Sequence, residues 1–104
     1  MDITEKKFFL LLDIYDAFQK PNLPRGFLGF NSQMALSKRV SGCLNPPAFI
    51  RGVVAELLEE HVLVINVHEK IWLDEEKFDK LIEESKLGKM MLRYVNDSSE
   101  LFVR

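Results

Sequence analysis

Cysteine is almost missing from this chain: Cys43 stands alone among 104 residues. One thiol makes no internal disulfide, which fits a reducing cytoplasm and leaves stability to packed apolar surface. A single domain of this length buries enough of that surface without staples. Long hydrophobic runs are missing too. The longest spans residues 8–12, against the roughly 18 residues a bilayer crossing needs, so no membrane segment is expected. The opening MDITEKK mixes acids with lysines and does not read as a secretory signal. There is no internal repeat and no low-complexity tract.

The most informative absence is of acid. Residues 17–55 hold no Asp or Glu but five bases: Lys20, Arg25, Lys38, Arg39 and Arg51. Residues 1–16 carry four acids against two bases, and residues 56–104 carry twelve against seven. The formal net charge of −2 therefore conceals a basic island in an acidic protein. Such asymmetry can mark a nucleic-acid face even when the total is negative.

Catalytic and cofactor signatures are also lacking. Gly26 and Gly29 have neither the lysine–serine tail nor the strand-to-helix setting of a phosphate loop. His61, His68 and Cys43 do not fall at metal-ligand spacing. Asp74, Glu75, Glu76 and Asp79 crowd together as the acidic first turn of a helix does, where carboxylates meet the positive end of the helix dipole. Cys43 has no base close by in sequence and reads as a small turn residue, and Met34, Met90 and Met91 as core. No enzyme, cofactor or metal is expected.

What is present is periodic. A helix is expected over 4–19, capped by Thr4 and followed by Pro21 and Pro24. Phe8, Leu11, Leu12, Tyr15 and Phe18 share one face of it, and Leu10, Ile14 and Ala17 form a second apolar strip. A helix apolar on two sides is either deeply buried or part of an interface. Residues 26–30 read as a short strand or extended link. A second helix is expected over 33–40, capped by Asn31 or Ser32, with Leu36 and Val40 inward. Ser41, Gly42 and Cys43 make a turn, and Leu44 returns to the core. The stretch SGCLNPPAFIRG then places Asn45 as an N-cap with Pro46 and Pro47 in the first turn of a third helix, where a missing N–H is tolerated. Ile50, Val53, Val54, Leu57 and Leu58 follow as its buried stripe. Two short strands, over 62–65 and 70–73, flank a turn at 66–69. Asp74 caps a fourth helix, 75–85, with Phe78, Leu81 and Ile82 inward. Residues 89–104 fit a helix or a hairpin equally well.

This order resembles a winged helix-turn-helix domain of the kind common in prokaryotic transcription regulators. The resemblance rests on residues 30–73, FNSQMALSKRVSGCLNPPAFIRGVVAELLEEHVLVINVHEKIWL. ALSKRVSG is similar to that family's second helix. LNPPAFIRGVVAELLEEHVLVI is similar to its recognition helix running into the first wing strand, with the pattern L-x-E-x-x-V beginning at Leu57. It implies a mainly α fold with a small β-hairpin wing (α+β), forming a single winged-helix domain over 1–104. Its core is 30–85, with 1–20 and 86–104 as packing or dimerisation extensions. It further implies a cytoplasmic, DNA-binding transcription regulator that places helix 46–60 in the major groove of double-stranded DNA, with the wing on the backbone.

On that reading Asn45, Ala48, Phe49, Arg51 and Gly52 are the outward residues near the start of the recognition helix. Arg51 is suited to a bidentate contact with guanine, and Ala48 and Gly52 allow close approach. Ser32, Gln33 and Asn45 are candidate phosphate donors, with Lys38, Arg39 and Lys70 meeting the flanking backbone. A homodimer through helix 4–19 and the C-terminal segment would double a thin supply of positive charge. The alternative is a winged-helix protein–protein interaction module, an adaptor or subunit of a transcription or replication assembly. The acidic total, a short wing holding Glu69, and the apolar Phe49 and FLGF at 27–30 favour that alternative.

Overall fold

Three side-chain oxygens convert extended backbone into helix. Thr4 Oγ1 accepts from the Lys7 N–H at 3.3 Å, Ser32 Oγ from Ala35 at 3.1 Å and Asp74 Oδ1 from Lys77 at 3.1 Å. Each satisfies a donor the helix leaves open, a cap worth about 1 kcal/mol. In the computed structural model, which describes residues 1–40 and 45–85, the elements that follow are α1 (Glu5–Ala17), a 3-10 turn (Lys20–Asn22), α2 (Gln33–Arg39), α3 (Pro47–Glu59), β1 (Leu63–Ile65), β2 (Ile71–Leu73) and α4 (Glu75–Glu84). The described chain is mainly helical with a small two-stranded antiparallel hairpin. No helix among the described residues is long and apolar enough to cross a membrane. The expectations for Ser41, Gly42, Cys43, Leu44, Met90, Met91 and the segment 89–104 lie outside the described residues.

Several boundaries differ from the sequence reading, each by one or two residues. The first helix covers Glu5–Ala17, the second stops at Arg39, and each strand is shorter by one residue. The third helix begins at Pro47, not Pro46, and its N-cap is Pro46, not Asn45. Proline disfavours the helical region for the residue before it, because its ring crowds that residue's Cβ and N–H. Pro46, preceding Pro47, is therefore held extended at φ −61°, ψ 143°. Only the second proline of the pair is free to be helical.

One core joins the four α-helices and the hairpin. Leu10, Leu11 and Ile14 of α1, Leu36 of α2, and Ile50, Val54 and Leu57 of α3 are at most 1% exposed. Leu63, Ile71 and Leu73 of the hairpin and Phe78 of α4 close it. Fully burying such a side chain stabilises the fold by about 1.5–3 kcal/mol. The buried stripe of α3 is as expected, with Leu58 half-buried at its margin. The register of α1 is not. Leu12 is exposed, as is Phe9, and the buried face is centred on Leu10, Leu11 and Ile14. Met34 is 57% exposed rather than core. Tyr15 stacks on Phe78 at 5.1 Å and seats α4 beside α1. Lys7 Nζ meets Glu56 at 3.3 Å and the terminal amine meets Glu60 at 2.7 Å, so the start of α1 is tied to the far half of α3. Glu60 also raises the pKa of that amine, by hydrogen bond and charge.

The end of α3 is a Schellman-type stop. His61 takes a positive φ of 60°, its N–H bonds the Leu58 carbonyl, and the Val62 N–H reaches back to the Leu57 carbonyl at 2.9 Å. The chain then enters β1, whose register pairs Leu63 with Leu73, Val64 with Trp72 and Ile65 with Ile71. Phe30 adds a single bridge to Ile71, exchanging N–H···O bonds of 2.9 and 2.8 Å. The extended link at 26–30 thus borders the hairpin. An aromatic cluster fastens it there: Phe18 lies 5.2 Å from Phe30 and 5.5 Å from Trp72, and Phe27 lies 5.0 Å from Phe30.

Asn66 organises the hairpin turn. Its Oδ1 accepts from the His68 and Lys70 backbone N–H groups at 2.9 and 3.1 Å. Its Nδ2 donates to the Leu28 carbonyl at 2.7 Å, across to the neighbouring link. Glu69 closes the turn at φ 59°, a left-handed conformation.

Candidate nucleic-acid interface

Three sides of α3 are distinguished by what crosses them. Ile50, Val53, Val54 and Leu57 face the core. Phe49 and Glu56, seven residues apart, share the side on which α1 crosses. Lys7 bonds Glu56 there, and the Lys6 ammonium sits 4.7 Å from the centre of the Phe49 ring. Phe49 is half-buried and packs against the core. The expectation that it faces outward is therefore corrected: α1 occupies the space that a base or partner would need.

The remaining side carries Ala48, Gly52, Ala55 and Glu59, all exposed, at successive steps of four, three and four residues. Its first two turns are small and uncharged, and its only acid lies at the far end. Gly52 has no packing reason to be glycine, because a Cβ there would meet nothing within 4 Å. An exposed glycine inside a helix costs about 1 kcal/mol relative to alanine. Gly52→Ala is accordingly expected to raise stability by about 1 kcal/mol, seen as a higher midpoint in thermal or urea melts followed by circular dichroism.

Arg51 stands between this outward side and α2. It is exposed and makes no hydrogen bond or ion pair among the described residues. With Lys38 it lines a cleft of about 300 Å³ between α2 and α3, whose other walls are Met34, Ser37, Pro47 and Ile50. Two cations of the basic island thus converge. The others go elsewhere. Arg39 Nη2 donates to the Asn22 carbonyl at 3.5 Å, and Lys20 and Arg25 line a separate groove with Phe27, Trp72 and Glu75.

A third cation lies at the start of α2. Lys70 Nζ donates to Asn31 Oδ1 at 2.5 Å, beside the Ser32 cap and the exposed Gln33. Ser32 spends its acceptor on the cap, leaving its O–H available as a donor. Asn45 is half-buried. The hairpin tip itself is Val67, His68 and Glu69, all exposed, with no Lys or Arg among them.

Sequence reading missed Ser37, Met34, Pro47 and Ile50 as neighbours of Arg51. The spacing 34, 37, 38 does place three residues on one flank of α2, and 47, 50, 51 does the same on α3. That the two flanks face each other is a matter of helix packing. No protein-family model matches this chain, and no curated protein or solved structure matches it either.

Proposed function

We propose that this chain is a winged helix-turn-helix DNA-binding protein, a cytoplasmic transcription regulator that lays α3 in the major groove and the hairpin along the backbone. The observation that carries the reading is Arg51: exposed, without a partner among the described residues, next to Lys38, and flanking a smooth strip of Ala48 and Gly52. A guanidinium so placed suits guanine O6 and N7, and the small strip lets the helix backbone come close to base edges. Lys38, Lys70, Gln33 and the Ser32 hydroxyl serve phosphates. Exposed Phe9 and Leu12 on α1 support a homodimer through that helix.

The test is a fluorescence anisotropy titration against duplexes enriched from a random pool. Arg51→Ala should weaken the preferred duplex by about 1–3 kcal/mol, roughly 5- to 150-fold, and flatten discrimination at one base pair. Lys38→Ala should weaken all duplexes alike. Folded protein that retards no duplex at low salt would end the proposal.

A second reading has its own support. Ile65 is 61% exposed and Val67 is 93% exposed, so the hairpin presents apolar groups where a phosphate-gripping wing would present cations. That favours a protein-interaction module, with the hairpin as its contact. Retention of a stoichiometric partner after nuclease treatment, lost in Val67→Asp, would select it over the first.

A further inference from the structure

We infer that the groove beside the 3-10 turn docks a partner protein through an extended, proline-rich segment that carries acidic residues. The groove is about 710 Å³, open to solvent, and shares no residue with α3 or with the α2–α3 cleft. One bank is formed by residues between Phe18 and Leu28, the other by Trp72 of β2 and Glu75 of α4. The first bank is held in shape from both ends. Asn22 Nδ2 donates to the Asp16 carbonyl at 3.0 Å, and the Leu28 carbonyl accepts from Asn66 at 2.7 Å. Between them the Phe27 N–H bonds the Pro24 carbonyl at 3.1 Å, in a turn that holds Gly26 at φ +76° and sets Arg25 at its corner.

The lining offers apolar faces and hydrogen-bond donors. Phe27 and Trp72 are half-buried, and Pro21, Pro24 and Leu28 stand exposed beside them. The Trp72 indole N–H reaches solvent and has no acceptor among the described residues. Lys20 and Arg25 are exposed, and neither side chain has a partner among those residues. Glu75 is the single acid of the lining, and it sits where the positive end of α4 favours a carboxylate. Two cations against one acid leave the groove positive. A proline-rich strand is the complement of such a surface. Proline has no N–H to satisfy, and the polyproline II form leaves its carbonyls free to accept. Pyrrolidine rings pack on aromatic side chains, and that form is already extended before it docks. Acidic residues in the strand pair with Lys20 and Arg25. A single nucleic-acid strand fits less well. Its bases stack on open ring faces, whereas Phe27 and Trp72 lie against each other, 5.9 Å apart, and its phosphates would have to pass Glu75. A small molecule also fits less well, because such sites enclose most of their ligand.

The experiment follows the fluorescence of Trp72, the sole tryptophan, in the full chain without DNA. The probes are the peptide Asp-Asp-Pro-Pro-Leu-Pro-Pro, its Asn-Asn analogue, an analogue with alanine at every proline, and single-stranded oligothymidylate. The acidic proline peptide should shift the emission to the blue and saturate. The Asn-Asn analogue should bind several-fold weaker and the alanine analogue at least tenfold weaker, and oligothymidylate should give no saturable change. Lys20→Ala combined with Arg25→Ala should bind the acidic peptide no better than the Asn-Asn analogue, whose own affinity should stay unchanged. Both side chains are exposed, so the double variant should keep the wild-type melting midpoint. No saturable change with the acidic peptide, an alanine analogue that binds as tightly, a preference for Asp over Asn that survives the double variant, or tighter binding of oligothymidylate would each overturn the proposal. Arg51 and the α3 strip take no part in this measurement. Its failure therefore leaves the duplex-binding reading standing, and failure of duplex binding leaves this result standing.

Discussion

Gly29→Ala should destabilise the protein by about 3 kcal/mol or more, lowering the thermal midpoint by ten degrees or more. Two effects add. Gly29 sits at φ +136°, a conformation that residues with a Cβ rarely adopt, and holding one there costs about 1–3 kcal/mol. In addition, a Cβ would lie 2.5 Å from Lys70 Cβ and 2.8 Å from the Ile71 carbonyl oxygen. Neither is the far end of a flexible side chain, so the link must move away from β2. That movement pulls on the Phe30–Ile71 bridge and on the aromatic contacts of Phe27 and Phe30. Gly26 is the internal control. It also has a positive φ, +76°, but nothing lies within 4 Å of its Cβ. Gly26→Ala should therefore cost only the backbone term, about 1–2 kcal/mol. Chemical denaturation of the pair separates strain from collision, and equal losses would mean that the close approach of Gly29 to β2 is not tight in solution.

Raising salt from 50 to 200 mM should reduce duplex affinity about a thousandfold if the protein binds as a dimer. The argument is counterion release. The logarithm of affinity falls with the logarithm of salt with a slope of about −0.9 per neutralised phosphate. Lys38, Arg51 and Lys70 supply about three neutralised charges per protomer, hence about six in a dimer and a slope near −5. A monomer would show a slope near −3 and lose only about fortyfold over the same range. The acidic surroundings sharpen the case. Outside residues 17–55 the chain carries sixteen acids against nine bases, so attraction to DNA has to be local. A flat salt dependence would remove the phosphate contacts from the proposal altogether. An intermediate slope at saturating protein, read with the measured stoichiometry, fixes how many cations each protomer commits.

Much of the helical frame was legible because it follows from local rules. Thr4, Ser32 and Asp74 announce helix starts, and Ile50, Val53, Val54 and Leu57 announce a buried face. The one-residue error at the proline pair was avoidable, since the restriction on a residue before proline is itself local. Other errors were not. Periodicity gives an angle about a helix's own axis but does not say which neighbour crosses at that angle. Phe49 and Arg51 both lie off the buried stripe, yet α1 covers the first and leaves the second open. In the same way Leu12 and Phe9 are as apolar as Leu10 and Leu11, and only the placement of the surrounding elements decides which pair is buried. The basic island was legible as a composition. Its division into the Lys38–Arg51 cleft and the Lys20–Arg25 groove is a product of tertiary packing.

Asn66 has a bearing on how anything meets the hairpin. One carboxamide holds two amides of its own turn and a carbonyl of the adjoining link, so the loop's shape is set before any encounter. A visitor to Val67 or His68 does not have to freeze a wandering loop, and the entropic toll of docking falls mainly on the visitor. Selectivity at the tip then comes from steric match to a preset outline, and the loop has little freedom to mould itself to an ill-fitting surface.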